Sequence, residues 1–302
     1  MRTEAVAYFK QMFSGEGEYT PSQILTASRT LFDAGEFAIA IEGYDRIIQS
    51  EKEQKLLEPA RVGKGLALVR LERFAEAVTL LEKVLEDYPK SGYTVDICRA
   101  ASAAYAAVAS VTPEEPKRFE MFNKAVEVMN RALKFAKDDG TKTELYVGVA
   151  RTFERKSAAE KQFGTPEKAA SYRDEAVAAY QSVIMFRNPN DAAVAPHLQD
   201  AYAACLPLML EMQRWDDVVQ DAQNYLAAFP NGKYALVVRQ ALNRARVSGG
   251  TAQTGETTVV TTGVTTGEVS NVTTGVSTGE VSGVTNGEAT GETPAAEDKP
   301  LP

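Results

Sequence analysis

Histidine and cysteine are nearly missing from this 302-residue sequence, which has one of the first, His197, and two of the second, Cys98 and Cys205. A zinc site of the His/Cys kind draws on three or four such ligands, often in close pairs. A Ser-His-Asp or Cys-His device would have to be built on His197, and only Asp200 stands near it at helical spacing. The two cysteines are too far apart in sequence to read as a disulfide framework, so each reads as a small apolar core residue. Phosphate-cradling glycine loops are missing too. Gly63-Lys64-Gly65 comes nearest, and Leu66-Ala67-Leu68 break the pattern. No apolar run approaches the ~20 residues that span a bilayer. The segment Met1-Arg2-Thr3-Glu4-Ala5 does not open a signal-peptide core. These absences lead us to expect no catalytic, cofactor or metal site and no direct membrane insertion. A cytoplasmic location is the default expectation; the periplasm or cell envelope is the alternative if the N-terminus is incomplete.

Aromatic residues are absent after residue 247, although the chain holds 12 Phe, 12 Tyr and one Trp. Residues 248–302 instead carry 14 Thr, 4 Ser and 10 of the 21 Gly. They also hold seven acidic residues against the single Lys299, and so account for six of the eight net negative charges. The remaining 247 residues are close to neutral, which argues against a phosphate-backbone binder, so no nucleic-acid partner is expected. The tail repeats every 12 residues, Thr261 to Val272 being followed by Thr273 to Val284. Its valines are too few and too interrupted by glycine to build a core, so a disordered linker is expected. Asn271-Val272-Thr273 is a glycosylation sequon by pattern.

What is present before the tail is repetition. Five segments share an aromatic residue, a small one three or four later, an apolar one at +4 and another at +3. They centre on Ala40, Ala77, Ala125, Ala176 and Val218. That spacing is one face of a helix. Each is preceded by another stripe of small and large residues, such as Cys98, Ala101, Ser102 and Tyr105. Small residues let two helices approach closely while large ones fill the gap beside them. Thr20-Pro21-Ser22-Gln23 reads as a capping box, with Thr112-Pro113-Glu114-Glu115 and Thr165-Pro166 as further starts. Pro89 and Pro230 read as helix ends, and Asp33 to Glu36 and Asp138-Asp139-Gly140 as turns. Pro207 falls inside a helical stretch, where a kink or break is expected. Trp215 falls on the repeat's own large position and reads as packing. Paired acids such as Asp216-Asp217 read as solvated, dipole-compensating helix starts.

These residues resemble the tetratricopeptide repeat family, whose pattern sets small residues at positions 8, 20 and 27 of a 34-residue unit. Here the intervals between the small residues are 37, 48, 51 and 42, so helices or loops must be lengthened. The resemblance implies an all-α fold: a right-handed solenoid of about five helix pairs over residues 20–247, followed by the disordered tail, 248–302. Residues 1–19 form an N-terminal helix, a cap or the remnant of a preceding repeat, and Tyr234 to Arg246 a lone final helix with Arg239, Arg244 and Arg246 outward. The Tyr88-Pro89 and Phe229-Pro230 junctions also resemble those of bacterial envelope tetratricopeptide proteins, among them outer-membrane assembly lipoproteins and the coordinator of the Tol–Pal system.

The resemblance further implies a non-enzymatic scaffold that binds a protein or peptide partner in its concave groove. The alternatives are an envelope assembly or coordinator protein, or an architectural module that forms homo-oligomers through its N-terminal helix. In this family the first helix of each repeat lines the groove. Carried over, the first repeat offers Leu25, Arg29, Phe32 and Asp33, and the second Val62, Leu66, Val69 and Arg70. The third offers Asp96, Arg99, Ala103, Ala106 and Ala107, and the fourth Glu144, Val147, Arg151, Glu154 and Arg155. Of these, Arg29, Phe32, Val69, Arg70, Arg99, Arg151, Glu154 and Arg155 are the expected partner-binding residues. Arginine's planar fork suits carboxylates. The Lys and Asn set with which some members clamp a peptide C-terminus is not found here.

Overall fold

The computed structural model describes residues 2–14, 19–50 and 54–253. The 12-residue-period tail from residue 254 and the Asn271 sequon lie outside the described residues. The chain divides into two units, Met1–Gly250 and Thr251–Pro302. Among the described residues there are twelve α-helices and no strand. They are α1 (Arg2–Ser14), α2 (Pro21–Asp33), α3 (Phe37–Ser50), α4 (Gln54–Arg70), α5 (Phe74–Asp87) and α6 (Thr94–Ser110). Then follow α7 (Glu115–Leu133), α8 (Asp139–Phe163), α9 (Pro166–Phe186), α10 (Ala195–Glu211), α11 (Trp215–Ala228) and α12 (Ala235–Gln253).

Five antiparallel pairs follow, α2/α3, α4/α5, α6/α7, α8/α9 and α10/α11, each packed on the next. The residues Ala40, Ala77, Ala125, Ala176 and Val218 are all fully buried, one in the second helix of each pair. A side chain no larger than valine at these crossings keeps the two axes close. The large buried neighbours Tyr44, Leu81, Met129, Tyr180 and Tyr225 fill in beside them. Outside the pairs, α1 packs on α2 and α3 and buries Met12 and Phe13. Gly43 makes room for that docking, since a Cβ there would run into Phe13 and Ser28.

Three of the pair-forming turns are the same object. Helices α2, α4 and α10 end with one residue in the left-handed region: Gly35 (φ 87°), Glu72 (φ 59°) and Gln213 (φ 57°). In each, the next residue's N–H bonds back five residues: Glu36 to Leu31, Arg73 to Leu68 and Arg214 to Met209, at 2.9, 2.9 and 3.0 Å. This is the Schellman closure, which caps the last carbonyls and favours glycine at the left-handed position. Only the first repeat has the glycine. Glu72→Gly and Gln213→Gly are therefore expected to raise unfolding free energy by about 1 kcal/mol each, and Gly35→Ala to lower it comparably. Urea unfolding of the single variants measures this directly.

The helix starts divide. Thr20 caps α2 in a full capping box: its Oγ1 accepts from Gln23 N at 3.3 Å, and its own N–H donates to Gln23 Oε1 at 2.9 Å. Thr165 accepts from Lys168 N at the start of α9. Thr112 does not repeat the device. Its hydroxyl donates to the Val108 carbonyl at 2.7 Å, closing the end of α6, and α7 begins only at Glu115 with Pro116 in its first turn. Asp138 is a cap rather than part of a turn, accepting from Thr141 N at 2.7 Å. Gly140 then lies inside α8, where a Cβ would stand 2.8 Å from the Ala193 carbonyl. Helix α10 runs through Pro207 to Glu211 without a break, and α4 likewise through Pro59. The outer face of α12 is not purely basic either: Leu236, Val237 and Val247 are exposed on it.

Candidate functional site

The first helices α2, α4, α6, α8 and α10 approach one another in sequence, α2 to α4, α4 to α6, and so on. The second helices do not approach each other comparably among the described residues. The first helices therefore form the tight inner side of the stack and the second helices its wider outer side.

On that inner side, α2, α3, α4 and the start of α6 enclose a concavity of about 230 Å³. Its walls are Phe32, Pro59, Val62, Gly63 and Leu66, with Tyr44 beneath and Arg29, Asp33, Tyr93 and Asp96 around the rim. Phe32 is held edge-on against Phe37, ring centroids 5.2 Å apart. Gly63 is required by packing: a Cβ there would run into the phenol ring of Tyr44. Arg29 Nη2 donates to the Tyr93 hydroxyl at 3.2 Å, joining the first repeat to the start of the third. Burial pushes the Tyr44 hydroxyl up to about 12; the Arg29 charge opposes this and Asp33 adds to it.

Two of the expected groove residues, Arg29 and Phe32, thus come together here, with Asp33, Val62, Leu66 and Asp96 of the wider set. Val69, on α4, is half-buried against the neighbouring core. The next arginines are occupied by the chain itself. Arg99 forks between Asp96 and Glu144, both at 2.7 Å, and so ties α6 to α8. Arg151 meets Asp200 of α10 at 3.5 Å. Burial raises the Asp200 carboxyl, but the Tyr234 hydroxyl at 2.7 Å, Lys233 and Arg151 outweigh it and hold the group below the ordinary aspartate value. Glu154 accepts from the Tyr180 hydroxyl at 2.9 Å. Arg70 and Arg155 are exposed and form no ion pair among the described residues.

Tyr44, Pro59, Gly63 and Tyr93 line the concavity without having been expected there. Tyr44 sits on a second helix and reads from sequence as core, which at 2% exposure it also is. Tyr93 precedes α6 by one residue, and its place in the Tyr88-Pro89 junction is the signal that could have found it. The described residues contain no group of three or more His, Cys, Asp or Glu side chains placed to hold a metal ion, and no described helix is long and apolar enough to cross a membrane.

Residues 60–91, spanning most of α4 and all of α5, match the tetratricopeptide repeat family model. Five helix pairs stacked in chain order make the described residues an all-α helical-repeat array, and its second pair is the one that matches that family model. No curated protein sequence matches it. Among solved structures it is similar to a thermophilic tetratricopeptide protein of Thermus thermophilus, at 14% identity over 76% of this chain and 100% of that one, TM-score 0.46. A tetratricopeptide repeat protein of Parabacteroides merdae is similar at 16% identity over 81% and 77%, TM-score 0.44. The TPR2AB domain of yeast Sti1, in its complex with pHSP90, matches at 13% identity over 74% and 98%, TM-score 0.28. Tetratricopeptide arrays are in general non-enzymatic protein–protein interaction scaffolds.

Proposed function

We propose that this chain is a non-enzymatic scaffold that holds a protein or peptide partner along the inner face of α2, α4, α6 and α8. The observation that carries the reading is the concavity in which Phe32, Val62 and Leu66, from consecutive repeats, share one apolar wall beneath a polar rim. An apolar floor with few polar groups around it is the usual make-up of a recognition pocket. The internal ion pairs of Arg99 and Arg151 engage these two cations with neighbouring first helices, whereas Arg70 and Arg155 stay open to a partner's carboxylates. Val69 and Glu154 belong to the same face as supporting wall residues.

The test is affinity capture with the immobilised full chain, followed by titration of whatever is retained. Leu66→Glu places a charge in the apolar wall and is expected to weaken binding at least about tenfold, the scale of burying an unpaired charge at an interface. Arg155→Glu should weaken it less. Circular dichroism of both variants should match the parent. Equal binding by the parent, Leu66→Glu and Arg155→Glu would place the partner elsewhere.

A further inference from the structure

The Tyr44 hydroxyl is the one polar group on the floor of the concavity for which the fold has no use. Tyr44 is 2% exposed, yet its hydroxyl has no hydrogen-bond partner among the described residues. The hydroxyl lies at the Gly63 side of the concavity, 2.8 Å from where a Cβ on that glycine would stand, and both residues line the space. The other buried tyrosine hydroxyls of the second helices are engaged: Tyr180 donates to Glu154 at 2.9 Å and Tyr225 to Gln199 at 3.0 Å. Tyr180 stands at the same repeat position as Tyr44, four residues after the small residue of its helix, so the equivalent phenol of the fourth repeat is anchored within the stack while that of the first is not.

The rest of the lining limits what can meet it. An apolar cavity of about 150 Å³ accepts benzene, so about 230 Å³ takes one ring with a substituent. Phe32, Pro59, Val62 and Leu66 form the apolar wall for such a ring. The rim carries Arg29 against Asp33 and Asp96, and Asp96 is already drawn to Arg99 at 2.7 Å. These charges nearly cancel, which favours a neutral tip over a cation or an anion. A side chain with an aromatic body and a neutral hydroxyl satisfies all three conditions.

Resting on the groove reading above, we propose that the concavity is the pocket for a tyrosine side chain of the protein partner, its ring against Phe32, Val62 and Leu66 and its hydroxyl hydrogen-bonded to that of Tyr44. A phenol is protonated throughout the neutral range and burial pushes this one further up, so the Tyr44 hydroxyl can donate as well as accept.

The probes are p-cresol, toluene and n-propylguanidinium, the side chains of tyrosine, phenylalanine and arginine, titrated into the full chain and followed by the backbone amide resonances of Phe32, Gly63 and Leu66. Fragments of this size bind in the millimolar range. We expect p-cresol to bind about fivefold tighter than toluene, the worth of one hydrogen bond, and propylguanidinium to be weaker than both. Tyr44→Phe should abolish the p-cresol preference while leaving the thermal midpoint unchanged or raised, because no internal bond is lost. Toluene binding as well as p-cresol, propylguanidinium binding best, or a preference that survives Tyr44→Phe would each overturn the tyrosine assignment. If Leu66→Glu still abolishes partner capture in those cases, the groove stands and only its occupant is wrong; if capture is also unaffected, both fall.

Discussion

Arg118→Ala is expected to destabilise the folded chain by about 3–5 kcal/mol, because it strands a buried carboxylate. Arg118 is 1% exposed and Glu160 6%, and they face each other between α7 and α8. Arg118 Nε and Nη2 both donate to Glu160 Oε1, at 3.1 and 3.0 Å. The third guanidinium nitrogen donates to the carbonyls of Thr112 and Pro113 at 3.2 and 2.6 Å, so the same side chain fixes the α6–α7 turn. The Phe163 ring lies 5.8 Å from the guanidinium carbon. Glu160 Oε2 already has no hydrogen-bond partner, so removing the arginine leaves the carboxylate without a side-chain hydrogen bond among the described residues. Lys156 cannot easily replace it, being sandwiched between Phe119 at 4.5 Å and Tyr172 at 4.0 Å. Arg118→Leu combined with Glu160→Leu should recover most of the loss, since paired removal leaves no buried charge. Urea unfolding of the single and double variants separates the two cases; a single variant within about 1 kcal/mol of the parent would mean that water reaches the pair.

Tyr225→Ala should cost a comparable amount, about 3–5 kcal/mol, in the fifth helix pair. The ring is fully buried and stands edge-on to Tyr202 at 5.5 Å and tilted to Phe229 at 5.4 Å. Its hydroxyl donates to Gln199 Oε1 at 3.0 Å and accepts from Tyr234 N at 2.9 Å, tying α10, α11 and the entry to α12 together. Tyr225→Phe keeps the ring and isolates the hydroxyl, and should cost about 1 kcal/mol. Gln199 would still accept from Lys233 N at 2.9 Å, so the unsatisfied group is the Tyr234 N–H alone. Loss of the α12 amide protection in hydrogen exchange, ahead of the rest, is the accompanying local signature.

The five small residues Ala40, Ala77, Ala125, Ala176 and Val218 could be read from the sequence because close helix crossings demand small side chains wherever they occur. The same local logic located the Thr20 and Thr165 caps. It misplaced Thr112, whose hydroxyl and carbonyl are claimed by α6 and by Arg118. It also gave no sign of the Arg118–Glu160 pair. Charged residues on a helix read as solvated, and their burial depends on a partner 42 residues away. Around the concavity, repeat position led to Arg29 and Phe32 as lining residues, whereas Tyr44 entered from a second helix because Gly63 lets its ring through. Arg99 and Arg151 carried a charge signal that position alone could not assign. Only the structure shows that their carboxylates belong to the neighbouring repeats.

Among the described residues, every helix-to-helix approach joins elements no more than two apart in chain order. The kinetic consequence is that no long loop must close before contacts begin to stabilise the chain. Any repeat can serve as the nucleus, and growth can run from it in both directions. An array of this kind can therefore begin to fold on a ribosome once about three pairs have emerged, without waiting for its C-terminus.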